Sequence, residues 1–158
     1  MADEEMSEQE MRERVIKLAF GGDVSRFEEF REVVRASIPE GTAVVLRGSS
    51  VTGERYDDGA PFDADGPGTS DLDLTLVGEE VLGFYILDGF YLPGVHTKPL
   101  SDKDSDIAPE LTPLRKKLVA MVKRPVNIQA TRDIIMRIRG DWMGQPYLTL
   151  IGTVGDKK

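Results

Sequence analysis

The chain has 158 residues, of which 40% are apolar, 30% charged and 7% aromatic, and it carries a net charge of −8. That is the length and balance of one globular domain or slightly more, and it excludes collagen, coiled coil and disorder throughout. No apolar run approaches the roughly 20 residues that span a bilayer, and the acidic start from Met1 to Glu10 is unlike a secretory signal, so a soluble, cytoplasmic protein with no membrane partner is expected. There is no cysteine and a single histidine, His96. Disulfides, thiol chemistry, cysteine-based metal sites and a Ser-His-Asp triad are therefore set aside, and chemistry is left to carboxylates, hydroxyls and backbone.

The charge is unevenly spread: Met1 to Glu110 carries −15 and Leu111 to Lys158 carries +7. The simpler expectation is that the two parts attract each other across the fold; the alternative is a basic patch that faces phosphate or a partner. Overall acidity argues against nucleic acid as the main partner, because neutralising a phosphate backbone needs clustered Lys and Arg.

In chain order, Met11, Val15 and Leu18 predict an amphipathic helix stopped by Gly21-Gly22. Ser25-Arg26-Phe27-Glu28 fits a capping box for a second helix with the stripe Phe27, Phe30, Val34, closed by Pro39 and Gly41. Thr42 to Arg47 predicts a strand entering Gly48-Ser49-Ser50. After a loop rich in Gly, Pro and Asp, Asp71 to Val77 alternates as a second strand. Val81 to Leu87 and Phe90 to Leu92 predict a hairpin turning at Asp88-Gly89. His96 to Glu110 reads as polar and exposed, with His96 a surface loop residue. Thr112 as N-cap and Pro113 open a helix buried through Leu114, Leu118 and Met121, with Arg115, Lys116, Lys117, Lys123 and Arg124 on its solvated face, and Pro125 ends it. Val126 to Gln129 is a short strand, Thr131 caps a helix carrying Ile134, Ile135 and Ile138, and Tyr147 to Ile151 is a last strand; Trp142 reads as packing or partner contact. The fold class predicted is α+β, a mixed β-sheet packed against helices. Residues 1–40 form a helical segment on the core, 41–155 the main domain and 156–158 a tail.

The residues that carry chemistry lie on the second strand. Leu72, Leu74 and Leu76 point one way, Asp71, Asp73 and Thr75 the other. The Cα atoms of the two Asp residues are about 6 to 7 Å apart by strand rise, close enough for both carboxylates to converge on one hard cation, and such a cation also relieves their repulsion. Upstream, Gly48-Ser49 ends a strand with a turn in which backbone and hydroxyl can approach a phosphate closely. A P-loop is not matched, because Gly48 to Arg55 lacks the terminal Lys-Ser/Thr. Asp63-Ala64-Asp65-Gly66 is read as a turn rather than a calcium loop.

Leu46-Arg47-Gly48-Ser49 followed by Gly68-Thr69-Ser70-Asp71-Leu72-Asp73-Leu74 resembles the nucleotidyltransferase superfamily of the DNA polymerase β type and its minimal members, over roughly Thr42 to Ile151. The resemblance implies a nucleotidyltransferase fold with two added N-terminal helices. It also implies Mg²⁺ (or Mn²⁺) held by Asp71 and Asp73 as the catalytic carboxylates, and a nucleoside triphosphate, ATP first, on Gly48 and Ser49 with the adjoining Ser50 and Ser70. The implied activity is transfer of a nucleoside monophosphate to a hydroxyl of a protein or small molecule.

Two departures stand out. The third carboxylate of the family falls on Asn127, between Val126 and Ile128, unless another strand is the match and Asp133 or Asp88 supplies the acid. An amide cannot accept the proton of an attacking hydroxyl and is a weaker Mg²⁺ ligand. A catalytically degenerate nucleotide-binding protein, or a partner subunit of the kind that works with a helical toxin, is the alternative it raises; a scaffold binding no nucleotide is a third. Gly48 and Asp71 are also 23 positions apart, further than usual, with the excess in the loop Tyr56 to Pro67. Its Asp57, Asp58, Asp63 and Asp65 read as a solvated loop, or as an added metal ligand or a barrier to a polyanionic acceptor.

Overall fold

In the computed structural model, residues 7–55 and 58–154 are described. The N-terminal Met1 to Met6, the Tyr56 and Asp57 of the long loop, the whole of the expected tail 156–158, and the side chains of Asp141 and Trp142 lie outside the described residues. The chain forms helices α1 (Glu8–Ala19) and α2 (Val24–Ala36), strand β1 (Ala43–Arg47), a one-turn helix α3 (Ser49–Thr52) and strand β2 (Leu72–Val77). There follow strands β3 (Phe90–Leu92) and β4 (His96–Thr97), helix α4 (Thr112–Val122), strand β5 (Val126–Thr131), helix α5 (Asp133–Arg137) running on as a π-helical turn, and strand β6 (Leu148–Ile151). The six strands make one mixed sheet in the order β3-β4-β5-β2-β1-β6, in which β2 and β5 are parallel and the other pairs antiparallel. This is an α+β architecture, as the pattern of strands and helices predicts.

Period-2 alternation decides the two faces of the sheet. Val44, Leu46, Leu72, Leu74, Leu76, Val126, Ile128 and Ala130 join the main apolar cluster with α1, α2 and α4. Phe27 and Phe30 are at most 1% exposed and meet Phe20 edge to face at 5.5 and 5.2 Å; full burial of each ring is worth about 2–3 kcal/mol before the cost of ordering it. The opposite face holds a smaller cluster, Ala43, Val45, Val77, Met136 and Val154. At one end of that face the apolar residues give way to polar ones.

Several local expectations are corrected. The N-cap of α2 is Asp23, whose carboxylate accepts from Ser25 N and Arg26 N, rather than Ser25, and the capping box is found instead on α1, between Ser7 and Glu10. The segment before β3 is not a strand. Glu80–Phe84 and Leu87–Gly89 are 3₁₀ turns, and the hairpin runs between β3 and β4. Gly89 lacks the positive φ that a tight two-residue hairpin turn needs. It is small for another reason: a Cβ there would lie 2.9 Å from that of Ile107. His96 to Glu110 is not simply an exposed stretch, because His96, Thr97, Leu100, Ile107 and Ala108 are buried. Thr112 opens α4 inside the helix with its hydroxyl on Ala108 O, and Val122 joins Leu114 and Leu118 in the core while Met121 only borders it. Thr131 belongs to β5 and α5 starts after Arg132; its buried residue is Met136, whereas Ile134 is 58% exposed.

Candidate functional site

β1 ends where β2 and β5 begin, so three strand ends meet. The register places Arg47 opposite Asp73, and Asp73 beside Asn127. Gly48 follows with φ +90° and ψ −159°, a conformation open to glycine, and a Cβ on it would lie 2.7 Å from Asp73 Oδ2. Glycine is thus required twice over, once by its backbone and once by the carboxylate laid against it. Ser49 opens α3, and with Gly48, Thr69, Ser70, Asp71 and Asp73 it lines a cleft of about 390 Å³.

Asp71 is exposed and Asp73 half-buried. The Asn127 Nδ2 donates to Asp71 Oδ2 at 2.8 Å and to Asp73 Oδ1 at 3.0 Å, so one amide holds both carboxylates on the same edge. Burial pushes the Asp73 carboxyl above the ordinary carboxylate range, with the hydrogen bond from Asn127 pulling down, the Asp71 charge pushing up and Arg47 pulling down. The structure therefore brings together Gly48, Ser49, Asp71, Asp73 and Asn127. Asp133 and Asp88 do not join them: Asp133 lies beyond the far end of β5 and Asp88 in the turn before β3. Among the described residues no group of three acidic or histidine side chains gathers to hold a metal. The residues at this strand end whose oxygens could hold a cation are Asp71 and Asp73.

The other expected contacts come out differently. Ser50 is fully buried and its hydroxyl has no partner among the described residues; it lines neither cleft at this end. The Ser70 hydroxyl accepts the Asp63 N–H at 2.7 Å, the Ser70 N–H donates to Asp63 Oδ1 at 3.0 Å and its carbonyl accepts from Arg124. Ser70 therefore anchors the long loop as well as bordering the cleft. The described acids of that loop are engaged: Asp58 and Asp65 pair with Arg55, and Asp63 pairs with Arg124, which is 8% exposed and stacks over Phe62. Arg124 is thus removed from the solvated face of α4, whereas Lys116, Lys117 and Lys123 remain exposed.

Sequence reasoning missed the basic side of the site. A larger cleft of about 560 Å³ adjoins the first across Gly48, Arg55 and Asp73 and is bordered by Arg47, Glu54, Gln145 and Pro146. Behind it, Arg47 Nη2 donates to Gln129 Oε1 and Arg47 Nε to Thr75 Oγ1, at 3.4 and 3.3 Å. His96 Nε2 accepts from Arg139 Nη2 at 3.0 Å, and Nδ1 meets Thr131 Oγ1 at 2.9 Å. Burial, then the charges of Arg139 and Arg47, push the His96 imidazole down to about 4, so it is neutral at pH 7. The signal available was alternation: Val45 and Arg47 share a sheet face with Asp73 and Thr75 once β1 and β2 are paired. Comparison with family models, with curated proteins and with solved structures finds no match.

Proposed function

We propose that this chain is a nucleotidyltransferase-type domain that binds a nucleoside triphosphate, ATP first, and moves its nucleoside monophosphate to an acceptor hydroxyl. The observation that carries the reading is the meeting at one sheet end of the Gly48-Ser49 turn and the Asp71/Asp73 pair, with Gly48 pressed so close to Asp73 that no side chain fits between them. Asp71 and Asp73 would hold Mg²⁺ or Mn²⁺, which supplies charge neutralisation for phosphoryl oxygens. The protein's own part is to hold the two carboxylates in register through β2 and Asn127, to present the turn at Gly48 to phosphate, and to wall the cleft with Ser49, Thr69 and Ser70.

One observation favours a second reading, a nucleotide-binding subunit without transfer. Asn127 stands where the resemblance places a third carboxylate, and its amide donates to both acids instead of adding a negative charge. Calorimetric titration with Mg·ATP and Mg·GTP, alongside label transfer from the α-phosphate, separates the readings. Binding that disappears in Asp71→Ala and Asp73→Ala, accompanied by transfer, supports the first. Binding without transfer under any acceptor supports the second. Absence of binding by the wild-type protein overturns both.

A further inference from the structure

Arg47 and Arg139 are two half-buried guanidinium groups on one sheet face, linked through Gln129 and His96. Among the described residues neither forms an ion pair. Arg139 is bonded by Nη2 to a neutral imidazole, and its Nη1 is buried with no partner. Arg47 holds its Nε and Nη2 on neutral oxygens, and the residue lines the 560 Å³ cleft. The two cations disfavour each other, and Arg139 is pushed down to about 10 by burial and by the Arg47 charge. Asp73 stands opposite Arg47 across the strands and its charge acts on the guanidinium, but no ion pair closes between them: Asp73 Oδ1 accepts from Asn127 and its Oδ2 lies against Gly48. Burying unpaired positive charge costs stability unless an anion arrives to answer it.

The position of that anion follows from the two clefts. Ser49, Thr69 and Asp71 line only the smaller one, Arg47, Gln145 and Pro146 only the larger, and Gly48, Asp73 and Arg55 are shared, Arg55 being already paired with Asp58 and Asp65. On the reading proposed above, the triphosphate occupies the smaller cleft, and a nucleophile must approach the α-phosphorus from the side away from the leaving group. The larger cleft is the space left for it. We infer that this cleft is the acceptor subsite and that it takes a hydroxyl compound bearing an oxyanion, carboxylate or phosphate, which Arg47 binds directly and Arg139 supports from behind. The acceptor oxygen forms the new bond to the α-phosphorus and the bond from that phosphorus to the bridging oxygen breaks. Pyrophosphate departs with the electron pair, and the hydroxyl proton goes to water, since the Asn127 amide cannot take it.

The inference rests on the nucleotide reading for the identity of the acceptor but not for the anion site, and the test separates them. Inorganic phosphate is titrated into the protein without divalent metal at fixed ionic strength, following arginine side-chain N–H resonances, and again in the presence of Mg²⁺ with a non-cleavable ATP analogue. The expected result is saturable binding that shifts the Arg47 resonance, weakens about tenfold or more in Arg47→Gln, and persists when the analogue is bound. Because Arg47→Gln alters a half-buried residue, Gln145→Glu at the cleft mouth serves as the second variant; its added negative charge weakens phosphate about threefold or more while folding is unchanged. Phosphate binding with no nucleotide binding would sink the proposed function and leave the anion site standing. Competition between phosphate and the analogue would assign the arginines to the nucleotide and overturn the acceptor subsite. Absence of saturable binding, or binding indifferent to both substitutions, would overturn the anion site itself.

Discussion

Gly48 carries the sharpest constraint in the site. Its φ of +90° is costly for any L side chain, and the Asp73 carboxylate occupies the space a methyl group would need. Gly48→Ala is expected to lose about 1–3 kcal/mol, seen as a fall of several degrees in Tm, and to weaken Mg·ATP by calorimetry because relief of the clash displaces Asp73. A variant with unaltered Tm and affinity would show that the turn and the carboxylate are not coupled. Asn127 makes the complementary case. Replacing its amide by a carboxylate removes two hydrogen bonds and sets three negative groups together, so Asn127→Asp should be less stable than wild type in chelator, by about 1–3 kcal/mol. Millimolar Mg²⁺ should restore most of the loss, and the gain in Tm on adding Mg²⁺, measured by thermal scanning, should be larger in the variant than in wild type. Equal gains would separate Asn127 from the metal position.

At the scale of elements, the long loop between α3 and β2 is tied to the end of α4 by the Asp63–Arg124 ion pair. The Arg124 guanidinium, with help from the Ser70 and Gly68 N–H groups, holds the Asp63 carboxyl down to about 2, against burial that pushes the other way. A carboxyl whose folded value lies below its unfolded one stabilises the fold above the unfolded value near 3.8, and that contribution is lost as pH falls through about 2. Solvent at the loop rim limits it to about 1 kcal/mol. Asp63→Asn should lower Tm at pH 7 and flatten the fall of Tm between about pH 4 and 2; an unchanged acid limb would mean that the pair does not hold the loop. This loop also shows where sequence stops being legible. Elements whose apolar residues recur with one period against one core, such as Phe27, Phe30, Val34 or Leu72, Leu74, Leu76, are readable because burial of that stripe decides the local structure. The segments at 80–89 and 96–110 are not, since their buried residues follow no period and are chosen by long-range neighbours, Gly89 by Ile107 and His96 by Thr131. The Asp71/Asp73 pair was readable from alternation alone. Its arginine neighbour, the engaged loop acids and the buried Ser50 needed strand pairing that no local pattern specifies.

Over the whole molecule the charge asymmetry resolves into contacts. Arg115, Arg124 and Arg132 of the basic third pair with Asp102, Asp63 and Glu79 of the acidic part, so attraction across the fold accounts for a share of the basic residues, and no helix among the described residues is long and apolar enough to cross a membrane. On the face of the sheet that carries the site, Met136 of α5 packs with Ala43, Val45 and Val77, and the π-helical turn reaches β4 and β5 through Arg139, His96 and Thr131. His96 is the titratable member of that join, and its burial first, then the charges of Arg139 and Arg47, oppose its protonation. Its folded value near 4 lies below the unfolded value of 6.5, so the unfolded chain binds the proton first and stability falls as pH drops from about 6.5 to 4, levelling off below. The loss is up to about 3 kcal/mol, or several degrees in Tm for a chain of this length. Protonation would turn the imidazole from an acceptor for Arg139 into a third cation in the same space, so the π-helical turn and β4 should part before the α1–α2 side of the sheet does. Hydrogen exchange at pH 4.5 and pH 7 reads this directly: protection should fall first at 96–97 and 134–140, and less in the interior of α2. His96→Asn, which keeps a polar partner without a titrating ring, should show little difference between the two pH values. Uniform loss of protection along the chain, or an equal pH dependence in the variant, would remove His96 from the join.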